Sequence, residues 1–359
     1  MGALAIWLDN SGQLVRVLMY SLNKRARKMN KILRNCSLFL AFTLASGQLL
    51  AQSDDWQLGR TIDGHPDLQG VWENNTITPV ERPDVFGDKT YLTDEDVDFL
   101  QRRIVEIESA GADALFGEGV LAAAFSGEIT SYDPSTGNYD SQWMAERTIH
   151  RRTSQITDPP NGKFPPRTEQ AITAARELRE HRQAHPADSW TDRPLGERCV
   201  SFGAPRLGSG YNSYWQIVQT RDTVAIIQEM AHDVRIIPLV EKPHIDEKIK
   251  LWHGDSRGYW DGDTLVVETT NYSEASSTSP ETVRKVNTER LTRISESALQ
   301  YEFTSDDPGA FTAPYTREII FDNTPDKIYE YACHEGNYGM MNILSGHRAE
   351  ERMAAAEND

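Results

Sequence analysis

The sequence has no long apolar run and few basic residues, and each shortage excludes a class of protein. Its N-terminal apolar run, residues 38–45, is far shorter than the roughly 20 apolar residues that a membrane-spanning helix needs. The 359 residues include 37 Lys and Arg against 54 Asp and Glu, so the formal net charge is −17. Such an acidic chain is poorly suited to nucleic acids or anionic membranes as partners.

The sequence also lacks the common motifs of nucleotide-binding proteins and serine hydrolases. Gly203 and residues 208–210 do not have the spacing of a phosphate or dinucleotide loop. Ser256 lies between Asp255 and Arg257 rather than in a Gly-x-Ser-x-Gly elbow. We therefore predict no cofactor, and nothing supports an α/β-hydrolase.

Residues 1–51 have the organisation of a secretory signal peptide. Lys31 and Arg34 form a basic region, the apolar run 38–45 follows, and a small-residue cleavage site ends at Ala51. We predict a periplasmic or secreted protein that has no membrane contact after cleavage. The alternative is a membrane anchor.

Removal of this signal makes the chain more acidic. Residues 1–51 contain seven Lys or Arg and one Asp, so the net charge falls from −17 to −23. Because Met29 directly precedes the basic region, we expect residues 1–28 to lie upstream of the true start.

Three cysteines occur in the chain, and Cys36 lies within the signal. Cys199 and Cys333 remain, and an even number in an oxidising compartment predicts a disulfide. In the chain-entropy model, closing the long loop between Cys199 and Cys333 stabilises the fold by roughly 4–5 kcal/mol at most. The alternatives are two buried free thiols, or a nucleophilic cysteine beside His334.

The mature chain divides into two regions that differ in amino-acid composition and in the regularity of their sequence patterns. Residues 52–210 are rich in Pro, Gly, Asp and Arg and form an N-terminal strap, with a first strand at 70–72. Thr93 followed by an acidic residue three positions later predicts the start of one helix. A second helix is predicted at 168–184.

Residues 211–345 form the predicted β body, and residues 346–359 a C-terminal tail. Runs of β-branched and aromatic residues predict strands at 214–220, 223–231, 233–239, 263–270, 289–295, 298–305, 315–322 and 327–333. Two-residue turns at 221–222 and at 261–262 predict hairpins.

Apolar and polar residues alternate within residues 298–305, which indicates a strand with one apolar, buried face. Leu299, Tyr301 and Phe303 alternate with polar residues, so we expect these three side chains to face the core. Many antiparallel strands without intervening helices predict a sandwich or a barrel.

Two resemblances refine this prediction. Gly70-Val71-Trp72 resembles the Gly-x-Trp that begins the first strand of lipocalin-like barrels. Six blocks resemble a large family of secreted bacterial proteins of unknown function, which implies no activity: residues 66–72, 152–160, 192–199, 229–237, 254–271 and 329–338. We predict a mainly β fold, an antiparallel lipocalin-like β-barrel with an N-terminal extension carrying two helices. Such a barrel has room for one small ligand.

The first candidate cluster is His232, Asp233 and Arg235. On a strand, His232 would face the opposite side from Asp233 and Arg235. His232 is a candidate general base, Asp233 a catalytic carboxylate and Arg235 a ligand-binding group. The alternative is a half-buried structural histidine with an ordinary surface ion pair.

The second cluster follows the predicted strand at 327–333. His334 and Glu335 are candidate catalytic groups on a rim loop, and Asn337 and Tyr338 are candidate ligand-binding groups. The alternative is a turn held by the disulfide, in which these polar groups cap backbone donors.

Three further residues are candidates for ligand binding. Asp255 and Arg257 lie in a short segment between two glycines, which suggests a constrained loop. The alternative is a turn in which these side chains only make local hydrogen bonds. Arg151 and Arg152 adjoin on an apparent strand, so one of them must face inward. An inward arginine, assigned here to Arg152, needs a carboxylate or an anionic ligand.

His232, His253, His334 and Glu335 are of types that bind zinc, but their spacing matches no metal motif, so we predict no metal site. The alternative is a metal held by ligands that converge from three separate strands, as in cupin-type barrels. The function expected is acid–base chemistry, hydrolysis or elimination, on a small organic molecule. The alternatives are a non-catalytic carrier of a small ligand and a structural surface domain.

Overall fold

The structure is a computed structural model that describes residues 56–109, 121, 124, 147–276 and 284–357. The predicted signal peptide and Cys36 lie outside these residues. Within the described part of the chain, no helix is long and apolar enough to cross a membrane.

Among the described residues, ten antiparallel strands form one sheet, which confirms the prediction of a mainly β fold. The strands are β1 (Gly70–Glu73), β2 (Ile156–Asp158), β3 (Tyr214–Gln219), β4 (Thr223–Gln228), β5 (Val234–Pro238), β6 (Asp255–Asp261), β7 (Thr264–Thr270), β8 (Val286–Arg293), β9 (Ala298–Asp306) and β10 (Tyr315–Thr324). Their order is β5-β4-β3-β1-β10-β9-β8-β7-β6, with β2 also paired to β10.

The local sequence signals locate these strands because alternation and turn chemistry act over a few residues. Both predicted hairpins form, β3 with β4 and β6 with β7. On β9, Leu299, Tyr301 and Phe303 are buried as expected.

The sheet curls so that its two edge strands meet. A Cβ built on Gly258 of β6 would lie 2.9 Å from Cγ2 of Ile237 on β5, so the bare glycine permits this close approach. Arg235 of β5 also reaches across the interior to Glu289 of β8. Within the described residues, no hydrogen-bonded ladder joins β5 to β6.

The inner face of the sheet is filled by large side chains. Trp72 and Trp215 are paired on adjacent strands, and both are almost completely buried. The Trp215 ring lies 4.6 Å from that of Phe321 and 5.2 Å from that of Tyr301, centroid to centroid. Such close aromatic packing fills the centre of the inner face.

The described residues include the helices α1 (Asp94–Ser109), α2 (Glu169–Ala184) and α3 (Gly339–Glu357). Both predicted helices are present. The hydroxyl of Thr168 caps α2 by accepting from the backbone N–H of Ala171. Leu100 and Ile104 of α1 belong to a second apolar cluster outside the sheet.

The C-terminal part differs from the prediction. Residues 327–333 form no strand, and α3 occupies most of the predicted tail. Two contacts hold this segment instead. The Tyr329 N–H donates to Oε1 of Glu229, and the disulfide anchors Cys333. The disulfide itself is as predicted, with Cys199 and Cys333 joined and their Cα atoms 5.6 Å apart.

Candidate functional site

A cavity of about 470 Å³ lies at one end of the sheet, and we call it the mouth cavity. Its walls come from residues 202–208, from the residues just before β6 and just after β7, and from the adjoining ends of β8, β9 and β10. In an antiparallel sheet the end of one strand lies beside the start of the next, so these segments converge. Its size is typical of sites for small organic molecules.

The loop 202–208 is fixed over the cavity by Gln228 at the end of β4. The side chain of Gln228 accepts from the Arg206 backbone N–H at 2.6 Å and donates to the Gly203 carbonyl at 3.0 Å. Because Gln228 is almost fully buried, these bonds hold Arg206 against the sheet.

The permanently charged side chains in the described lining of the mouth cavity are all cationic. Arg206, Lys285 and Arg317 all line it, and no Asp or Glu is among the described residues of its lining. Burial lowers the pKa of Arg206, but a guanidinium stays charged across the physiological range. Its side-chain bonds within the described residues go to neutral groups, the Asn212 carbonyl and the Ser213 hydroxyl. A half-buried cation without a carboxylate partner favours an anionic ligand.

His253 is the titratable group of the cavity best placed for proton transfer. Its Nε2 lies 3.0 Å from Oδ1 of Asp233, and the Ser201 hydroxyl donates to Oδ2 of the same carboxylate at 2.7 Å. The carboxylate therefore favours a proton on Nε2. Within the described residues, Nδ1 of His253 has no hydrogen-bond partner.

Asn287 and Tyr272 form the polar floor. Asn287 Nδ2 donates to the Tyr272 hydroxyl at 2.8 Å, while Asn287 Oδ1 is buried with no hydrogen-bond partner among the described residues. An unpaired buried acceptor is costly, so a ligand that donates a hydroxyl or N–H to it would bind favourably. Burial and then the nearby Glu289 carboxylate raise the pKa of Tyr272, so its hydroxyl stays protonated.

A buried ion pair, Arg235 with Glu289, lies close to Tyr272. Arg235 and Glu289 form two bonds of 2.5 and 2.7 Å, and Tyr301 donates its hydroxyl to Glu289 at 2.8 Å. Burial opposes the charge of Arg235, but the Glu289 carboxylate outweighs it and raises the pKa of Arg235. Arg235 is thus committed to Glu289 and supports the site.

Of the predicted catalytic residues, Asp233 is connected to the mouth cavity through its contact with His253, although it does not itself line that cavity. His232 and His334 are exposed, and neither side chain makes a hydrogen bond or ion pair within the described residues. Glu335 and Asn337 line a separate cavity of about 460 Å³ beside the disulfide, and Tyr338 is exposed.

Asp255 and Arg257, predicted as ligand-binding residues, do not line the mouth cavity, and Asp255 is buried. Asp255 contacts Arg257 and His244 at 2.8 Å each, and the other nitrogen of His244 lies 3.0 Å from Glu268. These contacts tie the segment before β6 to the outer face of β6 and β7.

Arg152 does not lie on a continuous strand, although it forms an isolated bridge with Tyr91. Its guanidinium contacts the Tyr91 hydroxyl at 3.0 Å and lies 3.6 Å from Glu318. Arg152 is more buried than the adjacent Arg151. Its carboxylate partner is Glu318, and it does not line the mouth cavity.

The predicted metal-binding types do not gather around the mouth cavity. Within the described residues, the group that comes together is Asp188, His347 and Glu351, at the surface where α3 meets the loop after α2. Arg348 already lies 2.9 Å from Glu351 and 3.7 Å from Asp188, so a cation occupies that position.

His253 and Arg206 belong to this site, although the sequence predicted neither of them as a member. His253 directly precedes the glycine-flanked segment that contains Asp255 and Arg257, so a signal was present one residue away. Arg206 gave no local signal, because its role depends on the loop that Gln228 holds over the cavity.

Comparisons of the chain with protein-family models, with curated proteins and with solved structures find no significant match. The site must therefore be interpreted from its own geometry.

Proposed function

We propose that this protein binds a small hydroxyl-bearing carboxylate in the mouth cavity and removes a proton next to the carboxylate. The observation that carries the proposal is that Arg206, Lys285 and Arg317 line the same cavity as His253, whose Nε2 contacts Asp233. The cations bind the carboxylate, and Asn287 Oδ1 accepts from a hydroxyl of the ligand.

His253 acts as the general base through Nδ1. Asp233 holds the proton on Nε2, which leaves the Nδ1 lone pair free to accept a proton from the ligand. A carboxylate whose charge is offset by guanidinium and ammonium groups acidifies the neighbouring C–H bond. When that carbon adjoins one bearing an oxygen substituent, the C–H electrons form a double bond, the C–O bond breaks, and the departing oxygen takes the proton from His253. This reaction is an elimination, which the convergence of cations favours over hydrolysis.

We propose further that the sheet is closed in the manner of a lipocalin-like barrel and that the protein works in the periplasm or outside the cell. The contact between Ile237 and Gly258 supports closure, because it brings the two edge strands together. The Cys199–Cys333 disulfide supports an oxidising compartment.

The experiment uses D-galacturonate, a sugar acid with one carboxylate, as the probe. Binding is measured by calorimetry, and exchange of its C5 proton for deuterium in heavy water is followed by NMR. We expect binding to wild type, with at least about tenfold weaker binding to Arg206→Gln because one charge-assisted contact is lost. Exchange should be catalysed by wild type and lost in His253→Gln.

The matched control is Arg290→Gln, which removes an arginine paired with Asp261 on an exposed surface. It should behave as wild type in both measurements. Equal binding by wild type and Arg206→Gln would reject the cavity assignment. Binding without exchange would reject the proton transfer and leave a carrier of the same ligand.

A further inference from the structure

A second cavity adjoins the mouth cavity, and we call it the outer cavity. Its volume is about 700 Å³. Phe202 lines both cavities, and the neighbours Ala275 and Ser276 line one each. The two cavities are therefore neighbours, and Phe202 forms part of the wall between them.

The outer cavity also has an excess of positive charge. Among its described lining residues, Arg182, Arg193 and Arg198 stand against the single carboxylate of Glu197. Arg193 is engaged by Glu197 through two bonds of 2.7 and 3.0 Å. Within the described part of the chain, the Arg182 and Arg198 guanidinium groups form no ion pair, and Arg198 lies 4.5 Å from the centre of the Trp190 ring.

This charge contrasts with the rest of the molecule. The chain has a net charge of −17, yet the described lining of the two adjoining cavities contains six Lys and Arg and one Glu. Cations concentrated in neighbouring clefts of an acidic protein indicate a ligand with more than one negative charge.

We infer that the two cavities are subsites of one site for an acidic oligosaccharide, a chain of linked uronate units; this inference rests on the proposed function. One uronate unit occupies the mouth cavity and the next lies across Phe202 in the outer cavity. A sugar acid supplies the carboxylate for the cations and a hydroxyl for the unpaired Asn287 Oδ1. Phe202 and Trp252 both line the mouth cavity, and aromatic rings of this kind pack well against sugar rings.

The wall between the two cavities also determines which bond reacts. Asp233 bonds to His253, which lines the mouth cavity, and to Ser201, which lines the outer cavity. The base therefore lies beside the boundary, where the linkage between two units would pass. His253 takes the C5 proton, the C4–C5 double bond forms, the C4–O bond breaks, and the proton passes to the departing O4 of the neighbouring unit. The products are a shorter chain and a chain ending in an unsaturated uronate, with no oxidant or reductant required.

The test compares D-galacturonate with trigalacturonate by calorimetry on the full chain. We expect the trimer to bind at least about tenfold more tightly than the monomer, because it places further carboxylates near the outer-cavity arginines. Arg182→Gln should reduce this ratio several-fold. Arg176→Gln, on the same helix and exposed beside Glu180, is the matched control and should keep the ratio. The fully methyl-esterified trimer should lose the advantage.

Turnover is followed by the ultraviolet absorbance of the unsaturated uronate product. It should appear with trigalacturonate and wild type and be absent with His253→Gln. Binding of the monomer with no gain for the trimer would overturn the two-subsite inference and leave the proposed function intact. A tighter trimer that binds equally well when esterified would overturn the uronate assignment. Failure of both probes to bind would overturn the proposed function and this inference together.

Discussion

Nε2 of His253 lies 3.0 Å from Oδ1 of Asp233, although the two residues are 20 positions apart and lie on different segments. The second oxygen of Asp233 accepts from the Ser201 hydroxyl, so the carboxylate cannot rotate freely. This arrangement fixes the orientation of an imidazole that faces the mouth cavity.

Asp233→Asn should disturb the tautomer of His253. In wild type, neutral His253 should carry its proton on Nε2, as read from two-dimensional ¹H–¹⁵N spectra of the imidazole. In the variant the preference for Nε2–H should weaken or reverse, since the amide offers both a donor and an acceptor. Proton exchange on D-galacturonate should fall about 10²-fold or more. Asp261→Asn is the control, and an unchanged His253 spectrum in Asp233→Asn would contradict the prediction.

Glu289→Ala should be among the most destabilising single substitutions in the sheet. The side chains of Arg235 and Glu289 are 2% and 0% exposed, so removing the carboxylate leaves a buried guanidinium without a counter-charge. We expect a loss of about 3–5 kcal/mol in the free energy of unfolding, measured by urea denaturation. Asp261→Ala breaks the exposed pair with Arg290 and should cost no more than about 1 kcal/mol. Similar losses in both variants would refute this role for the buried pair.

Two glycine substitutions should have opposite effects. A Cβ at Gly258 would lie 2.8 Å from Leu239 and 2.9 Å from Ile237, so Gly258→Ala should cost about 1–3 kcal/mol through overpacking. A Cβ added to Gly346 in α3 would meet nothing within 4 Å, so Gly346→Ala should stabilise by about 0.5–1 kcal/mol through helix propensity. Thermal unfolding checks both. A harmless Gly258→Ala would mean that β5 and β6 do not pack this closely.

The start of α1 should contribute a stability term that is lost in acid. The Lys89 ammonium and then the Thr93 backbone N–H lower the pKa of Asp96 to about 2, from 3.8. Since the folded-state pKa is the lower one, the stabilisation is present above 3.8 and is lost as the pH falls toward about 2. Asp96→Asn should cost about 0.3–1 kcal/mol at neutral pH, and the difference from wild type should shrink across that window. A pH-independent difference in urea denaturation would disprove the titration.

The elements set by short-range chemistry could be predicted from the sequence. The turn at residues 261–262, the helix that Thr168 caps and the alternation through Tyr301 each involve neighbours within a few positions, and all appear as expected. The strand predicted at 327–333 failed because a β-rich composition does not supply a partner strand.

The candidate site was less predictable. The sequence predicts Asp233 as a site residue, but it offers His253 only as a zinc-binding residue type and does not single out Arg206. Arg235 was expected to bind a ligand, whereas it is held by Glu289, 54 positions away. No local pattern connects these residues, because their contact depends on the order and curl of the strands.

The sequence by itself determined the acidic charge, the mainly β composition, the two strap helices and the cysteine pair, since composition, periodicity and caps act locally. Only the tertiary structure decided that the interior is filled by aromatic side chains and that cations from separate segments gather at one end. The physical reason is that the curl of the sheet brings Gly258 against Ile237 and aligns the strand ends, and this depends on long-range packing rather than on the preferences of any short segment.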